Sequence, residues 1–148
     1  MTHPFAMGIH HITCRTTSSG VDNLEIITDS MAWFGGPNVE ISIDKSTSYH
    51  GSILHLLSFK ISNNKKIKEF FLRLSNEDKM ELIETIESRI DENNCLHFRI
   101  GLDSLVGGQP TLISSSERCV KCVIKIEVYP GQKVKEQGIS LLKDSISN

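Results

Sequence analysis

The chain has 148 residues, of which 39% are hydrophobic and 23% charged, and its formal net charge is −2. That length suits one domain, residues 1–148, with a core of its own. The balance excludes a disordered chain and gives no global electrostatic case for a nucleic-acid partner. No apolar run is long enough to cross a bilayer, and Met1–Met7 lacks the basic start and apolar stretch of a signal peptide. A cytoplasmic location follows as an expectation, with Cys14, Cys95, Cys119 and Cys122 reduced.

The first strand is expected over Met7–Arg15. A helix follows over Val21–Phe34, with Asp22 as its cap, Glu25 three residues later, and Gly35-Gly36-Pro37 to stop it. Leu24, Ile27, Met31 and Phe34 form its apolar stripe. Val39–Lys45 and Ile53–Ile61 read as a hairpin joined through Tyr49-His50-Gly51. The spacing of Ile67, Phe70, Phe71 and Leu74 predicts a helix over Asn64–Leu74. A second helix begins at Ser75, whose hydroxyl can cap it, buries Leu82, Ile83, Ile86 and Ile90, and ends near Asn93-Asn94.

The strand Leu96–Ile100 comes next, then a loop through Val106-Gly107-Gly108-Gln109-Pro110 and a short strand over Thr111–Ser114. Lys121–Tyr129 alternates with a period of two. Cys122, Ile124, Ile126 and Val128 face inward, whereas Lys121, Lys125 and Tyr129 face out. The same rule puts His97 and Arg99 on the outer side of their strand. A final helix spans Val134–Ile146 and packs Val134, Ile139, Leu142 and Ile146. Strands grouped in hairpins with helices between the groups define an α+β fold. The expected arrangement is a two-layer, mostly antiparallel sheet with helices packed on one face and the other face partly open.

Several local patterns could carry chemistry. Cys119-Val120-Lys121-Cys122 has the spacing of a zinc half-site or a redox pair, but on a strand residues three apart face opposite ways. No second ligand pair accompanies it, so neither a metal nor another cofactor is expected. His11-Ile12-Thr13 and His50-Gly51-Ser52 both fit the His-x-Thr/Ser pattern of two-histidine phosphoesterases, in which the imidazoles act as acid and base. His50 falls in a turn, which weighs against that reading. His10 and His55 read as half-buried strand residues. The paired glycines lack the spacing of a phosphate-binding loop, and Glu81, Glu84 and Glu87 share a helix face that repels phosphate.

The cations form the remaining pattern. From Cys95 onward seven Lys/Arg stand against five Asp/Glu, whereas nine stand against 13 before it. That asymmetry permits a local basic patch. His11 and Arg15 share the outer side of the first strand. Lys65, Lys66, Lys68 and Arg73 make a second cluster on a helix. Scattered Lys and Arg also simply keep a sheet face soluble, and with 6% aromatic residues the chain has few surfaces on which a base can stack.

Leu96-His97-Phe98-Arg99, a glycine-containing loop, and Val123-Ile124-Lys125-Ile126-Glu127-Val128-Tyr129-Pro130 resemble the second half of an archaeal RNA-binding family once described as predicted exosome subunits. Tyr49-His50-Gly51-Ser52-Ile53-Leu54 and the opening strand with Thr16-Thr17 extend the resemblance over nearly the whole chain. It implies a two-layer fold similar to the ribosomal protein that binds five-S ribosomal RNA. It also implies non-catalytic RNA binding near exosome RNA processing or ribosome maturation. The chain departs from the family after Phe98-Arg99, where Ile100-Gly101-Leu102-Asp103-Ser104-Leu105 keeps an Asp but lacks the usual Lys-Gln beside it.

The combined expectation is an RNA partner on the open sheet face, without a membrane. Arg15, Arg99, Lys121 and Lys125 would contact phosphates, with His97 beside them and Tyr129 stacked on a base. The alternatives are a protein-interaction module, self-associating or an accessory subunit, and the phosphoesterase.

Overall fold

The computed structural model describes residues 8–47, 50–116 and 118–146. The elements in chain order are β1 (Ile9–Ser19), α1 (Leu24–Gly35), β2 (Ser42–Thr47), β3 (Ile53–Ile61), α2 (Asn64–Leu72) and α3 (Asn76–Glu84). They continue with α4 (Ile86–Arg89), β4 (Cys95–Gly101), α5 (Leu102–Val106), β5 (Leu112–Ile113), β6 (Cys119–Ile126) and α6 (Val134–Ser145). Among the described residues the strands form one six-stranded sheet in the order β2-β3-β1-β6-β4-β5. Every neighbouring pair is antiparallel.

Alternation decides which face is covered. Ile12 and Cys14 of β1, Leu57, Phe59 and Ile61 of β3, Leu96, Phe98 and Ile100 of β4, and Cys122, Ile124 and Ile126 of β6 are all buried on one side. Against them pack Ile27, Met31 and Phe34 of α1, Phe70 and Phe71 of α2, Leu82 of α3, and Leu141 and Leu142 of α6. A single apolar layer between sheet and helices is what these periodicities dictate, and the α+β, two-layer expectation is met. Gly138 lets α6 come close, because a Cβ there would sit 2.7 Å from Ile86 Cδ1.

Several boundaries differ from the sequence expectation. β1 runs on past Arg15 to Ser19, because Thr16 and Ser18 keep the inward parity and the Thr16 hydroxyl donates to the Cys119 carbonyl at 2.8 Å. Met7 and Tyr49 lie outside the described residues. Asn23, not Asp22, caps α1 by accepting from the Ile26 N–H. The helix expected after Ser75 is split at Thr85, whose hydroxyl bonds back to the Glu81 carbonyl at 2.8 Å and competes with the helical ladder. Its Ser75 cap is present, 3.0 Å from the Asp78 N–H. Leu102–Val106, expected as part of a loop, closes a short helix.

β6 ends at Ile126, so Tyr129 is not a strand residue. Its N–H donates to Gln132 Oε1 at 2.8 Å, and the Gln132 N–H returns a bond to its carbonyl at 2.9 Å. With Gly131 at φ +90, this is a turn that takes the chain off the sheet.

Two polar devices hold the layers together, and neither is visible as a sequence motif. Lys79 is 1% exposed, and its ammonium donates to the Phe71 carbonyl at 3.1 Å and the Ser145 carbonyl at 2.7 Å. One cation therefore serves the C-terminal carbonyls of both α2 and α6, where helix dipoles favour positive charge. Burial lowers its pKa. Arg118, at φ +43 just before β6, pairs with Asp22 at 2.7 Å and Asp103 at 2.9 Å. The two carboxylates raise its pKa and hold a backbone conformation that non-glycine residues rarely adopt.

Asp22 accepts from the Ser19 N–H, which is the main cause of its lowered pKa, with Arg118 second. A carboxyl with a depressed folded-state pKa contributes stability that is complete above about pH 4 and is lost as pH falls through the folded value. Asp22→Asn should therefore lower the unfolding free energy by about 1–2 kcal/mol at pH 7. Urea melts should show the variant and parent converging near pH 2. A gap of constant size at every pH would contradict this role.

Candidate nucleic-acid interface

The uncovered side of the sheet is read directly from the register. Arg15 lies opposite Lys121, and Lys121 lies opposite Arg99. Ser58 stands opposite Arg15 on β3, and Ile113 opposite Arg99 on β5. Three cations thus occupy neighbouring positions on β1, β6 and β4, about 5 Å apart, so that Arg15 and Arg99 are separated by roughly 10 Å. Among the described residues none of the three forms an ion pair with a carboxylate. Arg99 makes one long contact, 3.4 Å to the Ser114 carbonyl.

These side chains line two adjoining grooves of about 480 Å³ each. One is bounded by Arg15, Arg89, His97, Arg99 and Lys121, and the other by Arg15, Thr17, Asp44, Leu56, Ser58 and Lys121. Arg15 and Lys121 belong to both. The edge strand β5 that walls the first groove is tied to the helix layer, since the Leu112 N–H donates to Asp78 Oδ2 at 3.1 Å.

A second group of cations lies farther along the strands. His11 is opposite Lys125, and Lys60 is opposite Thr13. The register shifts between Ile9 and His11, so both His10 and His11 are placed between the inward-facing Ile9 and Ile12. His10, expected half-buried, is exposed for that reason. The two Nδ1 atoms are 2.7 Å apart, which requires one ring to donate a proton to the other. Burial first, then Lys60, His10 and Lys125, lowers the pKa of His11.

The expected site residues therefore divide. Arg15, Arg99 and Lys121 stand together with no ion pair to a carboxylate among the described residues, the nearest acidic lining of their grooves being Asp44 of β2. Lys125 is four positions from Lys121 and donates to the Asn93 carbonyl, which leaves its charge unneutralised. His97 faces the same side but holds Asp91, Nε2 to Oδ2 at 2.7 Å. That bond is the first cause of the lowered Asp91 pKa. Tyr129 is carried off the sheet by its turn and does not join the row. Arg89 at the groove rim and Lys60 were not anticipated. Lys60 was legible, two positions from Ser58 on a strand of period two, whereas Arg89 owes its place to the Ile90–Leu96 bridge beside β4.

The other patterns separate. His11 lies near the Ile61 end of β3 and His50 beyond its Ile53 end, so about 30 Å of sheet keeps the two His-x-Thr/Ser motifs from one phosphate. Cys119 and Cys122 face opposite ways. Cys122 Sγ lies 3.5 Å from Cys14 Sγ in the core, and Cys119 Sγ donates to the Ser116 carbonyl at 3.5 Å. Asp103, in the segment that departs from the family pattern, is engaged by Arg118. No helix of the described residues is long and apolar enough to cross a membrane.

A two-layer α+β domain with a bare, cationic sheet face is the class that fold and site define. A family model described as RNA binding matches residues 11–129, and the chain belongs to that family. No curated protein is a significant match in sequence. Among solved structures, a DUF54 protein from Archaeoglobus fulgidus aligns with a TM-score of 0.75 at 23% identity, covering 93% of this chain and 99% of that one. One from Methanothermobacter thermautotrophicus gives 0.76 at 19% identity over 95% and 99%. A UPF0201 protein from Methanococcus jannaschii gives 0.62 at 12% identity over 90% of each. These similarities show the fold.

Like charges directly opposite one another across strands destabilise a sheet, so the row costs stability. Lys121→Glu would place a carboxylate between Arg15 and Arg99. It should leave the fold intact and raise the unfolding free energy by about 0.5–1 kcal/mol at low salt, less at high salt. Guanidinium chloride adds salt of its own, so the melts belong in urea. A destabilised variant would mean that Lys121 has an unrecognised structural partner.

Proposed function

We propose that the protein binds RNA, without catalysis, through the open face of its sheet. The observation that carries this reading is the row of Arg15, Lys121 and Arg99, which forms no ion pair among the described residues although the like charges cost folding energy. Phosphate is the partner such a row suits. Two guanidinium forks and an ammonium can each meet a phosphate oxygen, and counterion release from the nucleic acid then drives association. Membership of an RNA-binding family supports RNA as the polyanion.

Nothing in the groove suggests a reaction. The imidazole best placed to exchange protons, His11, sits among cations rather than beside a nucleophile. The resemblance to predicted exosome subunits supports a cytoplasmic role in RNA processing or ribosome maturation. The outer edge of β2, exposed at all six residues, supports a second contact with a protein partner or another copy of the chain.

Fluorescence anisotropy with labelled RNA at several salt concentrations tests the proposal. The parent should show log affinity falling linearly with log salt. Replacing Arg15, Lys121 and Arg99 with Ala should weaken binding by about tenfold or more and flatten that slope by about 2 to 3. Equal binding by the triple variant would place the interface elsewhere.

The pH dependence has a definite sign. Burial first, and then Lys60, His10 and Lys125 that face it, hold the His11 pKa down, whereas a bound phosphate would raise it. Binding should then take up a proton, and affinity should increase as pH falls below about 7. His11→Asn should remove part of that increase. An affinity independent of pH between 5.5 and 8 would detach His11 from the interface.

A further inference from the structure

The arrangement of the face suggests which kind of RNA it takes, an inference that rests on the RNA-binding reading. Two cation groups lie on it, Arg15, Lys121 and Arg99 in one, His11 and Lys125 in the other. Lys121 and Lys125 are four residues apart on one strand, so the groups are separated by about 13 Å along the strand direction. Between them runs a band whose one cation among the described residues, Lys60, stands at its β3 end opposite Thr13. Thr13 is opposite Val123, Val123 is opposite His97, and His97 is bonded to Asp91. The band therefore offers a hydroxyl, a short apolar side chain and an imidazole–carboxylate pair.

Among the described residues, aromatic stacking is missing from the same surface. Phe34, Phe59, Phe70, Phe71 and Phe98 are all buried in the core. Trp33 lies on α1, in the helix layer, and Tyr129 is turned off the sheet end. Among the described residues, the outward positions of β1, β3, β4 and β6 carry no Phe, Tyr or Trp. Sequence-tolerant binding of single strands relies on bases stacking on aromatic or guanidinium planes. Here the guanidinium groups stand in a row with other cations, which suits phosphates better than splayed bases.

We propose that this face takes the minor-groove side of an A-form RNA duplex. The two cation groups would each follow one phosphate strand, and the band between them would cross the wide, shallow groove. There the Thr13 hydroxyl and the Asp91–His97 pair meet ribose 2′-hydroxyls, which both donate and accept hydrogen bonds. Shape and hydroxyl contacts of this kind tell RNA from DNA without reading sequence. The His97–Asp91 bond then acts as a positioning contact that fixes the imidazole, and Asp91 is itself held at Oδ1 by the Asn93 and Cys95 N–H groups at 2.8 and 3.0 Å.

The test compares labelled ligands of one sequence by anisotropy at fixed salt: duplex RNA, each RNA single strand, duplex DNA, and the RNA–DNA hybrid. Duplex RNA should bind at least tenfold more tightly than either single strand or duplex DNA, with the hybrid between. A single strand that binds as tightly as the duplex overturns the duplex assignment while leaving RNA binding in place. Duplex DNA bound as tightly as duplex RNA overturns the 2′-hydroxyl contacts. Loss of binding to every one of these ligands removes the underlying function instead. Thr13→Val and Asp91→Asn, checked for folding by circular dichroism, should narrow the RNA-to-DNA ratio severalfold without changing the salt slope. An unchanged ratio in both variants would overturn the role given to the band.

Discussion

The pairing of β1 between β3 and β6 is the constraint on which the rest depends. Because strand side chains alternate, one register decides two faces at once. Cys14 lies opposite Cys122 in the core, and the next residues, Arg15 and Lys121, lie opposite each other in solvent. A slip of one residue would bury the two cations and expose the apolar side. Burial of Ile12, Cys14, Cys122 and Ile124 therefore fixes the position of the cationic row as firmly as it fixes the core. The hydrophobic effect supplies the energy, and the charges are carried along by parity.

That arrangement separates stability from function. The helix layer and its polar clasps, Lys79 on two helix ends and Arg118 on two carboxylates, hold the sheet from one side. The open side contributes little and even works against folding, since it juxtaposes like charges. Sites that oppose folding locally are tolerated when packing elsewhere exceeds their cost. The bulge near Ile9 adds a related feature. One extra residue places two histidines side by side, where burial and then the neighbouring cations lower the pKa of His11.

Much of the fold was legible because it rests on periodicity. The outward parity of Arg15, His97, Arg99, Lys121 and Lys125 followed from counting alternate residues. What counting could not supply was lateral neighbourhood. Nothing in the chain says that Arg15 stands beside Lys121 rather than two residues away, since antiparallel register is set by long-range packing. The same gap hid the partners: Asp91 for His97, the Asn93 carbonyl for Lys125, and Asp22 for Arg118. Tyr129 was misplaced because Val128-Tyr129 continues the alternation into a turn that is settled by Gln132 and Gly131. The capping role went to Asn23 because the Asp22 carboxylate is engaged outside the helix, by the Ser19 N–H and hydroxyl and by Arg118.

The most direct test of the central claim is a residue-resolved map of the RNA-contacting surface. Backbone amide signals of the labelled protein would be followed by NMR during titration with RNA. The account predicts shifts concentrated on His11, Thr13 and Arg15 of β1, His97 and Arg99 of β4, and Lys121 to Lys125 of β6, with α1, α2 and α6 unmoved. Shifts confined to the helix layer or to the β2 edge would contradict it.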